Sequence, residues 1–194
     1  KDMLVKRYNL HELHSYVWAY NDELKAIDIP VEDNVKLANA TNPNIETLRN
    51  SIVPTQLCQI KSNLSFSNDF GIFEIGRVVN GLDENGLCIE NKKLAITLYS
   101  KTRNVKDIYF ELRDILAVVT DEIKHSYEHP VNLYSVCLDG RNIGTIGIVH
   151  PTINKKIDKK AAIVFAEIDV NAYANTDAAP IVYDEPSKFP PMDY

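Results

Sequence analysis

The sequence predicts an α+β domain, a mainly antiparallel sheet flanked by helices. Three observations carry this. Strand-like stretches outnumber helical ones, most neighbouring strands are joined by hairpin signals, and no regular strand–helix alternation runs along the chain. A doubly wound parallel sheet is thereby disfavoured.

From the N-terminus, residues 11–29 mix apolar and polar types, and His14 to Ala19 suits a short strand. Asn21 is placed to cap a helix through Asp22-Glu23-Leu24-Lys25, whose early acids suit the helix dipole. Pro30 closes that unit. Val35 to Asn39 alternates as a strand does, and Asn42-Pro43 punctuates the chain. A short helical turn is expected from Asn44 to Arg49. Pro54 then opens a new helix at its first position, with Leu57, Ile60 and Leu64 as its apolar face. Residues 71–79 and 92–99 read as the next two strands, joined by a loop marked by Gly81 and Gly86.

The clearest helix spans 105–123. Val105, Ile108, Leu112, Ile115, Leu116, Val119 and Ile123 share one face, and Asn104 with Asp107 forms a short version of the capping box. The clearest hairpin follows, with 131–138 and 142–149 flanking Asp139-Gly140. Pro151 starts a short helix, and 161–169 is a final apolar strand. The stretch from Tyr183 to Pro191 reads as an extended linker. The expected organisation is therefore one core domain, 1–182, and a linker, 183–194. With no Met at its start, the chain reads as a piece of a longer protein.

The 194 residues are 45% hydrophobic and 25% charged, ordinary values for a globular protein. No apolar run reaches the roughly 18 residues that span a bilayer, so no membrane partner is expected. The net charge of −6 argues against a dedicated DNA or RNA binder, whose affinity rests on basic surface. Cys58, Cys88 and Cys137 are odd in number and far apart, as reduced structural thiols of a cytoplasmic protein would be.

Candidate sites were weighed against plainer roles. His125 and His129 are four apart, but Pro130 pulls His129 out of helical geometry and no third ligand stands nearby; His11 and His14 share that weakness. No metal site is expected. Gly140, Gly144 and Gly147 lack dinucleotide-fingerprint spacing and read as hairpin glycines. Lys155, Lys156, Lys159 and Lys160 form a basic cluster, read as a solvated helix rim with RNA contact as the alternative. The segment Ile72 to Val79 reads as a buried strand carrying Glu74 and Arg77, three apart and so on opposite faces. Each is expected to bond a neighbouring element.

Several fragments, in order, resemble the synthetase-like core of the bacterial-type phenylalanyl-tRNA synthetase β chain. They are Asn42-Pro43, Leu48-Arg49-Asn50-Ser51, Pro54, Asn63, Phe73-Glu74-Ile75-Gly76-Arg77-Val78, Ile143 through Gly144 and Gly147 to His150-Pro151, and Ser187-Lys188-Phe189-Pro190. Each fragment alone is common; their order is specific. The resemblance implies a class II catalytic-domain-like fold and a heterotetramer with catalytic α chains, acting on phenylalanine, ATP with magnesium, and tRNA(Phe). No cofactor is expected on this chain itself. Class II catalytic domains carry an Arg just after the strand that Phe73 to Val79 resembles, whereas here Val79-Asn80-Gly81 follows. Their third motif holds Gly and Arg, whereas Val164 to Val170 has neither. The family's Arg-Asp after the linker is also altered, to Met192-Asp193. The expected function is thus a non-catalytic module that supports the α chain, inactive alone. The alternatives are a stand-alone adenylating enzyme using Glu74 and Arg77, and an RNA-binding module.

Overall fold

The computed structural model describes residues 1–31, 34–118, 122–125 and 132–174. In chain order these form α1 (Asp2–Lys6), β1 (His11–Glu12), β2 (Trp18–Ala19), α2 (Asn21–Lys25), β3 (Thr47–Leu48), α3 (Val53–Ser62), β4 (Asp69–Leu82) and β5 (Cys88–Ser100). Then come α4 (Val105–Leu116), β6 (Glu122–His125), β7 (Leu133–Leu138), β8 (Arg141–Ile148), α5 (Pro151–Ile157), β9 (Ala162–Asp169) and α6 (Val170–Ala174). The main sheet has the order β1-β4-β5-β9-β8-β7-β6. Its pairings are antiparallel except for β1 beside β4. A separate ribbon pairs β2 with β3.

Both faces of the central strands are covered. Ile72, Val78, Ala95, Tyr99 and Ile163 pack towards α2, α3 and α5. Their sequence neighbours Phe73, Ile96, Leu98, Val164 and Ala166 pack towards α4. Burial on two sides explains why the ends of β5 and β9 read as continuous apolar runs rather than alternating ones. Phe73 is fully buried in the α4-side core.

The long β4–β5 hairpin starts at Asp69↔Ser100 and carries a bulge between Val79 and Leu82. Both strands run further than the sequence indicates, because the pairing continues past the edge of the sheet. The β7–β8 turn has Asp139 at φ 50° and Gly140 at φ 72°, the left-handed pair that a two-residue hairpin requires. Gly144 and Gly147 lie within β8 and do a different job: a Cβ on Gly144 would stand 2.1 Å from the Glu167 carbonyl oxygen, and one on Gly147 2.8 Å from that of Asn132. They are close-approach glycines rather than turn residues.

Several expectations need correction. Tyr20, not Asn21, is the cap of α2. Asn21 is buried; its Oδ1 accepts from the Thr47 hydroxyl at 2.8 Å, and its Nδ2 donates to the Pro43 carbonyl. A side chain bolted to β3 in this way has no capping role to spare. The 35–39 stretch forms no strand and makes one bridge, Lys36 to Thr47. The turn after Asn42 is a 3-10 segment, Pro43–Ile45, and it gives way to β3 because Thr47 and Leu48 are both buried. Pro54 is the second residue of α3, after Val53. The helix from 105 ends at Leu116, not 123, and Ile123 lies in β6 opposite Val136; β-branched residues favour that setting. Val119 and the proposed 183–194 linker lie outside the described residues. Cys58 and Cys137 are buried, but Cys88 is exposed. Burial pushes the Cys58 thiol up to about 12, so it stays protonated. No described helix is long and apolar enough to cross a membrane.

α5 is tied down at both ends. The His150 Nδ1 accepts from the Thr152 N–H at 3.3 Å, and Pro151 occupies the first turn, where its missing N–H costs nothing. At the far end Asp158 accepts from the Tyr99 hydroxyl at 2.8 Å and meets Lys101 at 3.0 Å. Burial raises the Asp158 pKa, but the Lys160 N–H, Lys101 and Tyr99 together outweigh it, and the net shift is downward.

Two outcomes follow. Gly144→Ala is expected to cost about 1–3 kcal/mol in urea unfolding, because its Cβ meets backbone that cannot move without parting β8 from β9. The Asp158 contribution is present above the ordinary carboxylate range and is lost as pH falls through the lowered pKa, so Asp158→Asn should flatten the acid limb of the stability–pH curve.

Candidate functional site

Two carboxylates sit on the α3-facing side of the sheet, Glu74 on β4 and Glu167 on β9, both buried. Neither is left without partners. Glu74 Oε1 accepts from Arg49 Nη2 at 2.8 Å and from the Ser15 N–H at 3.3 Å, and Oε2 accepts from the Ser15 hydroxyl at 2.7 Å. The side chains of Arg49 and Glu74 are 4% and 3% exposed. Arg49 also donates from Nη1 to Ser15 Oγ at 2.6 Å and from Nε to the Arg77 carbonyl at 3.1 Å. Its own carbonyl accepts from the Val79 N–H at 2.9 Å. One residue thus pairs a buried charge and satisfies part of the free edge of β4.

This geometry explains the Glu74-Ile75-Gly76-Arg77 run. Glu74 and Gly76 share a face, since strand side chains alternate. A Cβ on Gly76 would lie 2.5 Å from Arg49 Nη2 and 2.8 Å from Glu74 Oε1, so only glycine leaves room for the guanidinium. Arg77 contributes its carbonyl. Its side chain, 74% exposed, turns to the other face and pairs with Glu90 at 3.1 Å. The expectation of a buried arginine in this strand is corrected: Arg77 sits opposite Lys92, one residue past the end of the β5–β9 ladder, and its side chain stands in solvent although Val78 and Val79 beside it are buried. Glu74 and Arg77 do each bond a neighbouring element.

Sequence reasoning missed Glu167, which was noted only for the Gly and Arg absent around it. Its Oε1 accepts from the Ile52 N–H at 2.7 Å and the Ser51 hydroxyl at 3.0 Å, and its Oε2 from Lys93 Nζ at 2.9 Å. Ile52 has no side-chain oxygen with which to cap α3, so the carboxylate from β9 does so. A lone acid in the apolar run from Ala162 to Ile168 was the available signal.

Between the α3 start, β8, β9 and α5 lies an open pocket of about 400 Å³. Its apolar wall comes from Pro54, Leu57, Ile153 and Phe165, and Ser51, Thr145, His150 and Glu167 supply polar groups. Among the described residues none of those lining it is Lys or Arg. The pocket thus brings Ser51, Pro54 and His150 of the expected site residues together with Glu167. It leaves out Arg77, Gly76 and Asn63, whose Nδ2 donates to the Gln59 carbonyl at the far end of α3. Lys155, Lys156, Lys159 and Lys160 are exposed at the end of α5, and Lys156 faces Asp28 at 3.5 Å. Among the described residues no group of three His, Cys, Asp or Glu could hold a metal ion. His14 lies against Glu12 at 3.2 Å, and the side chains of His125 and His129 are outside the described residues.

Fold and site together define an α+β module whose buried charges serve its own framework. Residues 2–170 match the model of the phenylalanyl tRNA synthetase beta chain CLM domain, and the chain belongs to that family. It is similar to phenylalanine–tRNA ligase beta subunits: 28% identical to that of Bacillus subtilis (strain 168) over 89% of this chain and 24% of the relative. The Aquifex aeolicus (strain VF5) subunit is 23% identical over 97% of this chain and 26% of its own length. That of Listeria monocytogenes serovar 1/2a (strain EGD-e) is 26% identical over 94% and 25%. The chain therefore spans about a quarter of the length of these curated relatives.

The two arginines should separate cleanly. Arg49→Met strands the Glu74 charge and is expected to cost about 3–5 kcal/mol in urea unfolding. Arg77→Ala removes an exposed pair and should stay within about 0.5 kcal/mol of wild type.

Proposed function

We propose that this chain is the non-catalytic core module of a phenylalanine–tRNA ligase β subunit, folded like a class II catalytic domain, which supports assembly with the catalytic α subunit. The parent complex is a cytoplasmic heterotetramer that uses ATP and magnesium to charge tRNA(Phe). The single observation that carries the reading is Glu167. It sits at the start of α3 and in the wall of the sheet-face pocket, where adenylate chemistry needs cations for the charge developing at phosphorus. Among the described residues the lysine that reaches it, Lys93, is already paired with it and lies outside the pocket lining. The resemblance to the β chain supplies the partner and the substrates.

A second, lesser reading concerns RNA. Lys155, Lys159 and Lys160 are exposed and have no carboxylate partner among the described residues, in contrast to Lys156. Three such cations, Lys155 in the last turn of α5 and Lys159 and Lys160 in the turn after it, suit phosphate contacts made within the assembled complex.

The expected outcome is that the chain alone shows no phenylalanine-dependent ATP–pyrophosphate exchange, and that it co-purifies with the α chain. Exchange that disappears in Arg77→Ala would overturn the non-catalytic reading in favour of an adenylating enzyme. For the RNA reading, removing Lys155, Lys159 and Lys160 together should lower the slope of log affinity for tRNA against log salt by about two to three. An unchanged slope removes that contact.

A further inference from the structure

A second concavity, of about 240 Å³, lies at the C-terminal end of α3 and shares no residue with the pocket over β9. Its floor is Ile60 and Ile72, both buried. Its walls are aromatic: Phe66 meets the His11 ring at 5.2 Å and the Phe70 ring at 5.6 Å, each at 89°. Phe70 in turn backs onto Tyr99 at 5.0 Å, which anchors the row in the core. Phe66 itself is 62% exposed, so its ring contributes little to burial where it stands. The polar side chains of the pocket are also unspent. The Gln59 side-chain amide, the Asn63 Oδ1 and both His11 ring nitrogens make no hydrogen bond within the described residues.

We propose that this pocket takes a single unstacked nucleobase. The three features fit one ligand class. An apolar floor and aromatic walls suit a planar ring, and an exposed aromatic is the usual platform for a splayed base. The Gln59 amide, the Asn63 Oδ1 and the imidazole offer donors and acceptors, as Asn and Gln do towards the edge of a base. An aromatic side chain from a protein partner fits less well, because its apolar rim would bury those amides without returning their hydrogen bonds. The base can belong to an RNA strand or to a free nucleotide, since the recognised group is the same. The inference goes beyond the proposed function and does not rest on it: neither the pocket over β9 nor the α chain enters the argument.

The test is a titration of the isotopically labelled chain with adenosine, with cytidine and with a short unstructured RNA, followed by amide NMR shifts. Saturable shifts centred on His11, Gln59, Asn63 and Phe66 are expected. If nucleosides alone produce them, the source is a free nucleotide; if only the RNA does, the source is a strand; either supports the pocket. Phe66→Ala should weaken binding at least about fivefold, while Phe110→Ala, an exposed phenylalanine on α4, and Arg77→Ala should leave it unchanged. A thermal melt checks that Phe66→Ala is folded. No shift at these residues with any of the ligands, wild-type affinity in Phe66→Ala, or tighter binding of a phenylalanine-bearing peptide would overturn the proposal.

Discussion

The ion pair between Arg49 and Glu74 is the constraint around which one side of the sheet is arranged. Two charges almost wholly out of water are tolerable only when their remaining hydrogen-bonding capacity is met. Here it is met by the Ser15 N–H and hydroxyl and by the Arg77 carbonyl. The same residues hold the segment between β3 and α3 against the free edge of β4, where β1 covers only Ile72 and Phe73. An edge that would otherwise offer unpaired backbone groups is closed by one arginine using both its side chain and its main chain. Gly76 follows from that choice, since any side chain there would collide with the guanidinium.

Glu167 plays the matching part at the centre of the sheet. It joins β9 to the start of α3 through Ile52 and Ser51, and to β5 through Lys93. Gln56 adds a third tie, donating to the Ala95 carbonyl and accepting from the Thr97 hydroxyl at 2.6 Å. α3 is therefore held to the sheet at its first turn by polar bonds and along its length by Leu57 and Ile60. Apolar packing alone fixes which face of a helix is buried but leaves its position along its axis less defined. Directional bonds at Glu167 and Gln56 fix that too.

What was legible in the sequence followed the reach of each signal. The long helix, the Asp139-Gly140 hairpin and the paired long strands were visible because their patterns are local. The short strands β1 and β3 were not, since two residues carry no period and owe their state to β4 and β2 across space. The helix starting at 105 was read too long because Ile123 continues its apolar spacing, yet serves a strand. At the site, Glu74 was recognised as needing a partner, but the partner's identity depends on a contact between residues 25 positions apart. Glu167 was passed over for the same reason: its donors Lys93, Ile52 and Ser51 lie 74, 115 and 116 positions away. Arg77 does bond a neighbouring strand as expected, but its exposure was not legible, since Val78 and Val79 next to it in the same apolar run are buried.

The placement of Glu167 also bears on why a pocket on this sheet face suits a supporting role. The N-terminus of a helix presents free N–H groups and a partial positive charge, a ready site for a phosphate. α3 has such an end, and it opens beside the pocket. The protein fills it with its own carboxylate. An incoming anion would have to displace Glu167 from Ile52, Ser51 and Lys93, and then share the space with it. At about 4 Å two like charges repel by roughly 4 kcal/mol near a protein surface, while each charged hydrogen bond forgone costs a further 1.5–3 kcal/mol or so. Together these exceed what a millimolar ligand gains on binding, about 4 kcal/mol. A single acidic residue in β9 therefore does two things at once: it stabilises the first turn of α3, and it places the chain's own negative charge at that helix N-terminus.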